Sequence, residues 1–397
     1  MGIKNLSVIL NQKCNLAINT RKLEEYTKIF ESTDDSYRII FGIDLSIFLY
    51  KYLYNNNDHI EGLTRLILRL IKNHITPVFI FDGKPPKEKD DTIQSRKEKR
   101  EYMIIRRNIY EYGIKIKDEL SKDDFKKDIS EYIKSQTDNN SFLMDEDEIN
   151  SVFEKKNDEL VIEIDKLTKK IIYVTSYHIE TSKELFNLFG VKYIHAPCEA
   201  ESLLAMLSKN NFIDGCISED TDILANGGYL FLRNFNADKN TIEEYCLHGI
   251  LDNLKLTQEQ FVDMCILCGC DYTAKINGMG PITAHKLISK YGSIEEVLKN
   301  NNKFSIPDNF DYVKARDLFK NPISQDIFDN IDKDMKMKTP KLEELKEFLK
   351  KTKLKEKYVK EIDKNLMNYY LNIECISTKN EKVLKKSKNK KITDFYM

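Results

Sequence analysis

Seven carboxylate side chains stand in five short clusters, and each cluster comes where an apolar segment ends or a helix is expected to begin. They are Asp44, Asp82, Glu199, Glu201, Asp220, Asp222 and Asp271. Acids scattered over a solvated surface do not fall in this pattern, whereas acids that converge on cations do. Carboxylate oxygens suit hard ions such as Mg²⁺, and two ions about 3.5–4 Å apart can clamp the reacting oxygens of a phosphodiester. The pattern predicts a metal-dependent hydrolase.

The segments around these acids predict alternating strands and helices. Strands are expected at 37–44, 77–81, 192–195, 215–218 and 229–233, and helices at 47–54, 60–73, 176–189, 199–207 and 258–268. This alternation implies an α/β fold with a mostly parallel central sheet flanked by helices. Ligands of such sheets bind outside the carboxyl ends of the strands, so Asp44, Asp82 and Asp220 are expected to meet at one edge. Ser46 is expected to cap the helix 47–54.

The spacing of Glu199 and Glu201 sets a condition on the local backbone. Residues two apart on a regular helix point to nearly opposite sides. Both carboxylates can reach one site only if Glu199 lies at the start of the helix, outside the regular spiral. Pro197, just before it, favours such a start.

Charge is unevenly distributed along the 397 residues, although the formal net charge is only −1. Bases gather at Lys84–Arg107 and Lys382–Lys391, and a basic face of this kind favours nucleic acid as the substrate. The highly charged composition that starts at Lys84 continues to about residue 170. A helix is expected at 96–112, and 121–160 is expected to be a polar, partly disordered insertion.

Several classes of protein are disfavoured. No run of eighteen apolar residues or signal peptide is found, so an intracellular protein without a membrane span is expected. The 8 cysteines form no compact framework, and we expect reduced thiols. Cys265, Cys268 and Cys270 lie in an apolar run, which indicates core packing rather than a zinc site. A serine hydrolase would need a nucleophile elbow, which is absent from the sequence.

Five sequence motifs together carry a family likeness. They are MGIKNL, VFIFDGKPP, APCEAES, SEDTDIL and FVDMCILCGCDYTAKINGMGPITAHKLI. In type, order and approximate spacing they resemble the flap endonuclease branch of the structure-specific 5′ nucleases. The resemblance covers most of residues 1–335 except 121–160, where this chain is longer than typical cellular members.

The resemblance implies a PIN-like fold and a metal-dependent nuclease. Such an enzyme removes 5′ flaps from branched DNA in replication and repair, and it has an associated 5′–3′ exonuclease activity. Two alternatives stay open: a related junction or bubble nuclease, and a catalytically inactive protein that binds DNA junctions. The presence of all seven acids argues against the inactive protein.

The resemblance also implies roles for the acids. Two Mg²⁺ ions are expected per active site, and Mn²⁺ is expected to substitute for them. The ligands of the first ion, directly or through water, are implied to be Asp44, Asp82, Glu199 and Glu201. Those of the second are implied to be Asp220, Asp222 and Asp271.

Four further residues acquire roles near the cut. Lys89 and Arg96 fall where the family places cations that face the scissile phosphate and stabilise developing charge. Tyr50 matches the aromatic residue that stacks on a base near the cut. Gly2 would be the mature N-terminus if Met1 is removed, with its amine near the substrate.

A helix–turn–helix element at 271–292 is implied to grip the backbone of duplex DNA. Gly278 and Gly280 stand in its turn, with Pro281 at the first helical position. Glycines let the backbone approach a phosphate, and the N–H groups at the helix start point toward it. Lys275 and Lys286 flank the turn. In the family a monovalent cation often sits here.

Four regions follow from these assignments. They are an N-terminal nuclease region at 1–100, a helical gateway and cap at 84–170, an internal nuclease region at 171–335, and C-terminal helices with a flexible tail at 336–397. We expect a monomer that acts in the nucleus of a eukaryotic host, or at the replication site of a virus.

The C-terminal tail resembles a motif that binds a sliding clamp. Ile392 is followed by two spacer residues and then by the paired aromatics Phe395 and Tyr396. The basic stretch just before them is read either as a nuclear localisation signal or as a DNA-binding tail.

Overall fold

The computed structural model describes residues 2–32, 39–56, 58–136, 144–236 and 239–352, together with Ile362 and Leu366. The strands are β1 (Ile18–Lys22), β2 (Ile39–Asp44), β3 (Ile75–Phe81), β4 (Lys192–His195), β5 (Gly215–Ile217), β6 (Leu230–Asn236) and β7 (Thr241–Cys246). The α-helices are α1 (Leu6–Lys13), α2 (Leu23–Ser32), α3 (Leu45–Asn56), α4 (His59–Lys72), α5 (Asp90–Ile116), α6 (Lys122–Gln136), α7 (Glu146–Glu154), α8 (Asn157–Lys170), α9 (Ser176–Phe189), α10 (Ala200–Lys209), α11 (Asp222–Ala225), α12 (Leu247–Leu254), α13 (Gln258–Cys268), α14 (Pro281–Tyr291), α15 (Ile294–Lys299), α16 (Tyr312–Lys320), α17 (Gln325–Asp329) and α18 (Leu342–Lys350). Short 3-10 helices lie at Asn15–Ala17 and Lys87–Lys89.

The chain divides into two compact units. The first unit comprises Met1–Tyr52, Asp58–Glu88 and Ser176–Met397, and it contains the whole sheet. The second unit comprises Leu53–Asn57 and Lys89–Thr175. Among the described residues, none of the helices has the length and apolar character that a membrane span requires.

The first unit is built on one seven-stranded sheet with the order β1-β7-β6-β5-β2-β3-β4. Adjacent strands within the series β6-β5-β2-β3-β4 pair in parallel. Strand β7 pairs in antiparallel fashion with both β6 and β1. The predicted mostly parallel sheet is therefore confirmed. Strands β1 and β7 were not predicted, because each is short and carries several exposed or partly exposed polar side chains.

The order of the strands places a switch point between β2 and β5. From β2 the chain moves to β3 and β4 on one side, and it then returns to add β5 and β6 on the other. Strands β2 and β3 are apolar runs in which nearly every residue is buried. Helix α10 packs against β2, β3 and β5, with Leu203, Leu204 and Leu207 in the core. In sheets of this kind, ligands bind at the carboxyl ends of the strands beside the switch point.

Helices α5 to α8 make up most of the second unit, which has its own apolar core. The expectation of a partly disordered stretch at 121–160 is wrong for the residues described there. Helix α6 places Phe125, Ile129 and Ile133 on one buried face at a spacing of four residues, and α7 adds Ile149 and Val152. One to three buried apolar residues per helix suffice because the helices share one core, although the surrounding composition is strongly polar.

Ser46 does not have the capping role expected of it. Helix α3 begins at Leu45, one residue before Ser46 and directly after β2 ends at Asp44. The Ser46 hydroxyl donates a hydrogen bond to Asp82 Oδ2 instead. The strand therefore passes into the helix without a separate capping residue, and Ser46 is available to one of the seven acids.

Candidate metal centre

Four adjacent parallel strands deliver the acids of the first unit to one edge of the sheet. Asp44 is the last residue of β2, and Asp82 comes directly after β3. Glu199 follows β4 by four residues, and Asp220 follows β5 by three. Since β5, β2, β3 and β4 are neighbours with the same direction, their carboxyl ends lie side by side.

Three acids meet most closely. Carboxylate oxygens of Glu201, Asp220 and Asp222 lie within 4.8 Å of one another, and all three side chains are buried. The backbone N–H of Asp222 donates a 3.1 Å hydrogen bond to Asp220 Oδ1, which fixes the first turn of α11 against the loop after β5. Three buried carboxylates at this separation repel one another strongly unless protons or cations offset the charge.

Asp44 is tied to this trio through Ser218. The Ser218 hydroxyl donates a 2.9 Å hydrogen bond to Asp44 Oδ2 and accepts one of 3.0 Å from the backbone N–H of Asp220. Burial, together with the charges of Asp82 and Asp220, raises the pKa of Asp44 from its ordinary value of 3.8 to about 8, although the hydrogen bond from Ser218 acts in the opposite direction. Its other oxygen, Oδ1, is buried and accepts no hydrogen bond from the described residues. A cation beside Asp44 would stabilise its anionic form beyond what the hydrogen bond from Ser218 provides.

Asp82 and Glu199 are held at the start of α10. The backbone N–H of Ala200 donates a 2.9 Å hydrogen bond to Asp82 Oδ1. Glu199 is the N-cap residue of α10, with the extended angles φ −77 and ψ 146, and Glu201 lies in the first turn. The condition set by the sequence is thus met, since Glu199 stands outside the regular spiral. The hydroxyl of Tyr272 donates a 2.8 Å hydrogen bond to Glu199 Oε2.

Asp271 lies in the turn that follows α13 and is partly buried. It does not belong to the trio of closest carboxylates. The charges of both Asp222 and Asp271 act on the thiol of the neighbouring residue Cys270. Burial, with a smaller contribution from the two carboxylates, raises the pKa of the Cys270 thiol to about 12. The turn after α13 therefore adds negative charge near α11, the helix that begins with Asp222.

The donor set fits hard divalent cations. All seven predicted ligands offer oxygen, and Asp44, Glu199, Glu201, Asp220 and Asp222 are buried. Carboxylate oxygens favour Mg²⁺, Mn²⁺ or Ca²⁺ over softer metals. Cys265, Cys268 and Cys270 are buried members of the main hydrophobic core, in agreement with the expectation of core packing.

Gly2 lies against the acidic trio. Its φ of +81 belongs to the left-handed region that favours glycine, and a Cβ added there would collide with carboxylate oxygens of Asp220 and Asp222. Two backbone hydrogen bonds hold the following residues: Ile3 N–H donates to Thr221 Oγ1 at 3.0 Å, and Lys4 N–H donates to the carbonyl of Gly269 at 2.9 Å. The N-terminal segment is thereby fixed beside the site.

The residues of the predicted helix–turn–helix lie together between α13 and α14. Gly278 has a φ of +77, and Gly280 is the N-cap of α14, with Pro281 in its first turn. Lys275 and Lys286 are exposed on either side of this turn. The arrangement agrees with the predicted turn and leaves both lysines accessible to a ligand.

The other predicted residues fall in different parts of the chain. Tyr50 lies on α3 and is 41% exposed. Lys89 and Arg96 belong to the second unit: Lys89 is buried at the start of α5, and Arg96 is exposed on that helix. The tail residues Ile392, Phe395 and Tyr396 lie outside the described residues, so the clamp-binding motif stays a prediction.

Sequence reasoning missed three residues that shape the site. Ser218 links Asp44 with Asp220, Thr221 holds the N-terminal segment, and Tyr272 binds Glu199. Each stands within two residues of a predicted ligand, and this proximity was the available signal. Their distant partners, Asp44, Ile3 and Glu199, are 73 to 218 residues away along the chain, so the sequence could not identify these contacts.

Comparison with known proteins reveals matches over both nuclease regions. The XPG N-terminal domain matches residues 1–103, and the XPG I-region matches 190–271. Flap endonuclease 1 of Enterocytozoon bieneusi is 32% identical over 335 residues, which are 80% of this chain and 77% of the relative.

Solved structures share the fold. The catalytic core of Rad2 in complex with DNA substrate has a TM-score of 0.60 at 22% identity, covering 93% of this chain and 100% of that one. The Holliday junction-resolving enzyme GEN1 in complex with product DNA, Mg²⁺ and Mn²⁺ has a TM-score of 0.58 at 16% identity, covering 92% and 78%.

Proposed function

The chain belongs to the flap endonuclease family, and on this premise we propose that its carboxylate cluster binds divalent cations for the hydrolysis of DNA phosphodiesters. The chain is a structure-specific 5′ flap endonuclease of DNA replication and repair. The observation that carries the proposal is the approach of Glu201, Asp220 and Asp222 to within 4.8 Å in a buried site. Such a concentration of buried negative charge favours the binding of cations.

The seven acids would hold two Mg²⁺ ions, with Mn²⁺ as a substitute. Asp44, Asp82, Glu199 and Glu201 are proposed for one ion, and Asp220, Asp222 and Asp271 for the other. Bound divalent cations supply Lewis-acid stabilisation of the negative charge that develops on the phosphodiester. The protein's own contribution is to hold the ligands in place without reorganisation during the reaction. Ser218 does this for Asp44 and Asp220, and Tyr272 does it for Glu199.

Other residues are proposed to hold the DNA. Lys89 and Arg96 would place positive charge at the scissile phosphate, and Tyr50 would stack on a base near the cut. The turn with Gly278 and Gly280 would bind the duplex backbone through its N–H groups, aided by Lys275, Lys286 and a monovalent cation. The 41% exposure of Tyr50 supports a contact with a ligand. The amine of Gly2 would also lie near the substrate.

A cleavage assay with a 5′-flap oligonucleotide tests the proposal. Cleavage should require Mg²⁺ or Mn²⁺ and stop in EDTA. Asp222→Asn should lower the cleavage rate by on the order of 10²–10³-fold while binding of the flap changes by only a few fold. Asp326→Asn, which alters an exposed acid on α17, is the matched control. Near-wild-type cleavage by Asp222→Asn would exclude this ligand assignment.

The preferred DNA structure is proposed to be the 5′ flap, with 5′–3′ exonuclease activity on related ends. The sequence identity with a flap endonuclease is 32%, whereas the identities with Rad2 and GEN1 are 22% and 16%. The higher identity supports the preference for flaps. A panel of 5′-flap, bubble and four-way-junction substrates discriminates among the nucleases. A protein that binds all three but cuts none in Mg²⁺ would instead be a junction binder.

Partners and location follow from the same activity. A monomer is proposed to act where DNA is replicated, in the nucleus of a eukaryotic host or at a viral replication site. The tail motif of Ile392, Phe395 and Tyr396 would dock on a sliding clamp, as aromatic anchors in short peptide motifs do. Replacing both aromatics with Ala should abolish clamp stimulation and leave clamp-independent cleavage unchanged.

A further inference from the structure

An ion pair between Glu88 and Lys314 lies where the chain leaves the first unit. Glu88 is the last residue of that segment and lies within the 3-10 helix Lys87–Lys89. The Nζ of Lys314, on α16, lies 2.5 Å from Glu88 Oε1. The side chain of Glu88 is only 16% exposed, whereas that of Lys314 is 59% exposed. The pair joins two distant parts of the sequence within the same unit.

Helix α16 provides a firm support for Lys314. The guanidinium of Arg316 donates to both oxygens of Asp263 on α13, at 2.7 and 2.9 Å, and to Glu295 on α15, at 2.7 and 3.0 Å. Ala315 and Phe319 are buried in the main core. Two bidentate contacts restrict the guanidinium in both position and orientation. Lys314 therefore extends from a helix that is tied to both α13 and α15.

The other end of the pair adjoins a functional residue. Lys89, proposed above to act on the scissile phosphate, is the next residue after Glu88 and is buried. Pro85 and Pro86 stiffen the backbone just before the 3-10 helix. Partly exposed ion pairs contribute little to global stability. A measurable effect of this pair is therefore expected on local geometry rather than on folding.

We propose that Lys314 and Glu88 are positioning residues for Lys89. By holding Glu88 on α16, Lys314 fixes the short segment of backbone from which the Lys89 side chain extends. Small errors in the position of a group that stabilises a transition state lower the rate substantially. This inference rests on the proposed role of Lys89 in cleavage.

Charge reversal and charge exchange test the pair. Lys314→Glu and Glu88→Lys should each lower the single-turnover cleavage rate of a 5′-flap oligonucleotide in Mg²⁺ by about three- to tenfold. The affinity for the flap, measured by fluorescence anisotropy in Ca²⁺, should stay within about twofold. The double variant Glu88→Lys with Lys314→Glu should recover most of the rate. Lys320→Glu, which makes the same charge change on the same helix, should cleave like the wild type.

A comparison with Lys89→Ala separates this inference from the proposed function. Lys314→Glu should cause no further loss of rate in a Lys89→Ala background, because the pair acts through Lys89. If Lys89→Ala cleaves at the wild-type rate, the proposed role of Lys89 is wrong, and the positioning role is overturned with it. If Lys89→Ala is slow while Lys314→Glu is unimpaired, or the exchanged pair stays as slow as the single variants, only the positioning role is overturned. Thermal unfolding of each variant identifies any loss of rate that comes from a failure to fold.

Discussion

The hydroxyl of Ser218 donates a 2.9 Å hydrogen bond to Asp44 Oδ2 between the carboxyl ends of β5 and β2. This is the switch point of the sheet, where the strand order reverses. Ser218 also accepts a hydrogen bond from the backbone of Asp220. One small side chain thus connects acids that are proposed to bind two different cations.

Removing this hydroxyl should change the pH dependence of cleavage. The hydrogen bond from Ser218 lowers the pKa of Asp44 and opposes the larger upward effect of burial. In Ser218→Ala, Asp44 would lose its proton less readily, so the pH–rate profile should move to higher pH. For each pH unit by which the profile moves, cleavage near neutral pH should be about tenfold slower. Ser208→Ala, which alters a buried serine that accepts from the Tyr229 backbone, is the control. An unchanged profile in Ser218→Ala would contradict the role of the hydrogen bond.

A methyl group at residue 2 should disturb the site more than the fold. In Gly2→Ala, the new Cβ meets the carboxylates of Asp220 and Asp222, and the φ of +81 is unfavourable for alanine. We expect the Mg²⁺ concentration for half-maximal cleavage to rise by about tenfold, which corresponds to about 1.4 kcal/mol. A magnesium titration of the cleavage rate, with thermal unfolding alongside, measures both effects. An unchanged magnesium requirement would show that the N-terminal segment can move away from the acids at little cost.

Tyr272→Phe removes the hydroxyl that binds Glu199 and keeps the ring. The loss of one buried hydrogen bond should cost about 1 kcal/mol of stability. The cleavage rate should fall by roughly tenfold, because Glu199 would no longer be held toward the site. Tyr245→Phe is a matched control, since its hydroxyl donates to Glu243 at 3.0 Å on β7. If both variants cleave at the same rate, Tyr272 has only a structural role.

The stability of the cation-free protein should decrease as the pH rises. Burial raises the pKa of Asp44 to about 8 from an ordinary value of 3.8. A raised pKa stabilises the fold fully below the ordinary value, and this stabilisation is lost as the pH rises through the folded value. In EDTA, the Tm should therefore fall between about pH 4 and pH 8, and Mg²⁺ should restore it most strongly at high pH, because cations compete with protons. Asp44→Asn should flatten this dependence; an equally steep fall in that variant would assign it to other groups.

Arg316→Met should destabilise the helices that support the site. Asp263 is buried, and Arg316 binds both of its oxygens. Breaking a buried pair by removing one partner costs about 3–5 kcal/mol, and partial exposure of Arg316 reduces this to about 2–3 kcal/mol. Chemical denaturation measures the difference, with Lys320→Met on the same helix as the control. A loss below about 0.5 kcal/mol would indicate that α16 is held by its apolar contacts alone.

The sequence predicted the features that depend on short segments. The apolar runs that form β2 and β3 predicted buried strands, and the acids at their ends predicted a site at one edge of the sheet. Glu199 was expected outside the helical spiral, and the structure has it at the N-cap of α10. These inferences succeeded because strand and helix periodicities are local properties of the chain.

Amino-acid composition gave a wrong prediction of disorder where a few apolar residues decide the structure. The segment with Phe125, Ile129 and Ile133 reads as polar, yet these three residues fall on one face of α6. Strand β1 was missed because its partner, β7, lies more than 200 residues away, in the register Ile18 to Tyr245. A short polar strand gains its stability from such pairing rather than from its own pattern.

The sequence by itself determined which residue types the site contains and which strands carry them. Tertiary structure alone decided which groups hold them: Ser218 on Asp44, Tyr272 on Glu199 and Gly2 against Asp220. The same holds for Lys314 and Glu88, whose charges have no recognisable relationship along the sequence. The physical reason is that a hydrogen bond or ion pair depends on separation in space, which a local pattern does not specify.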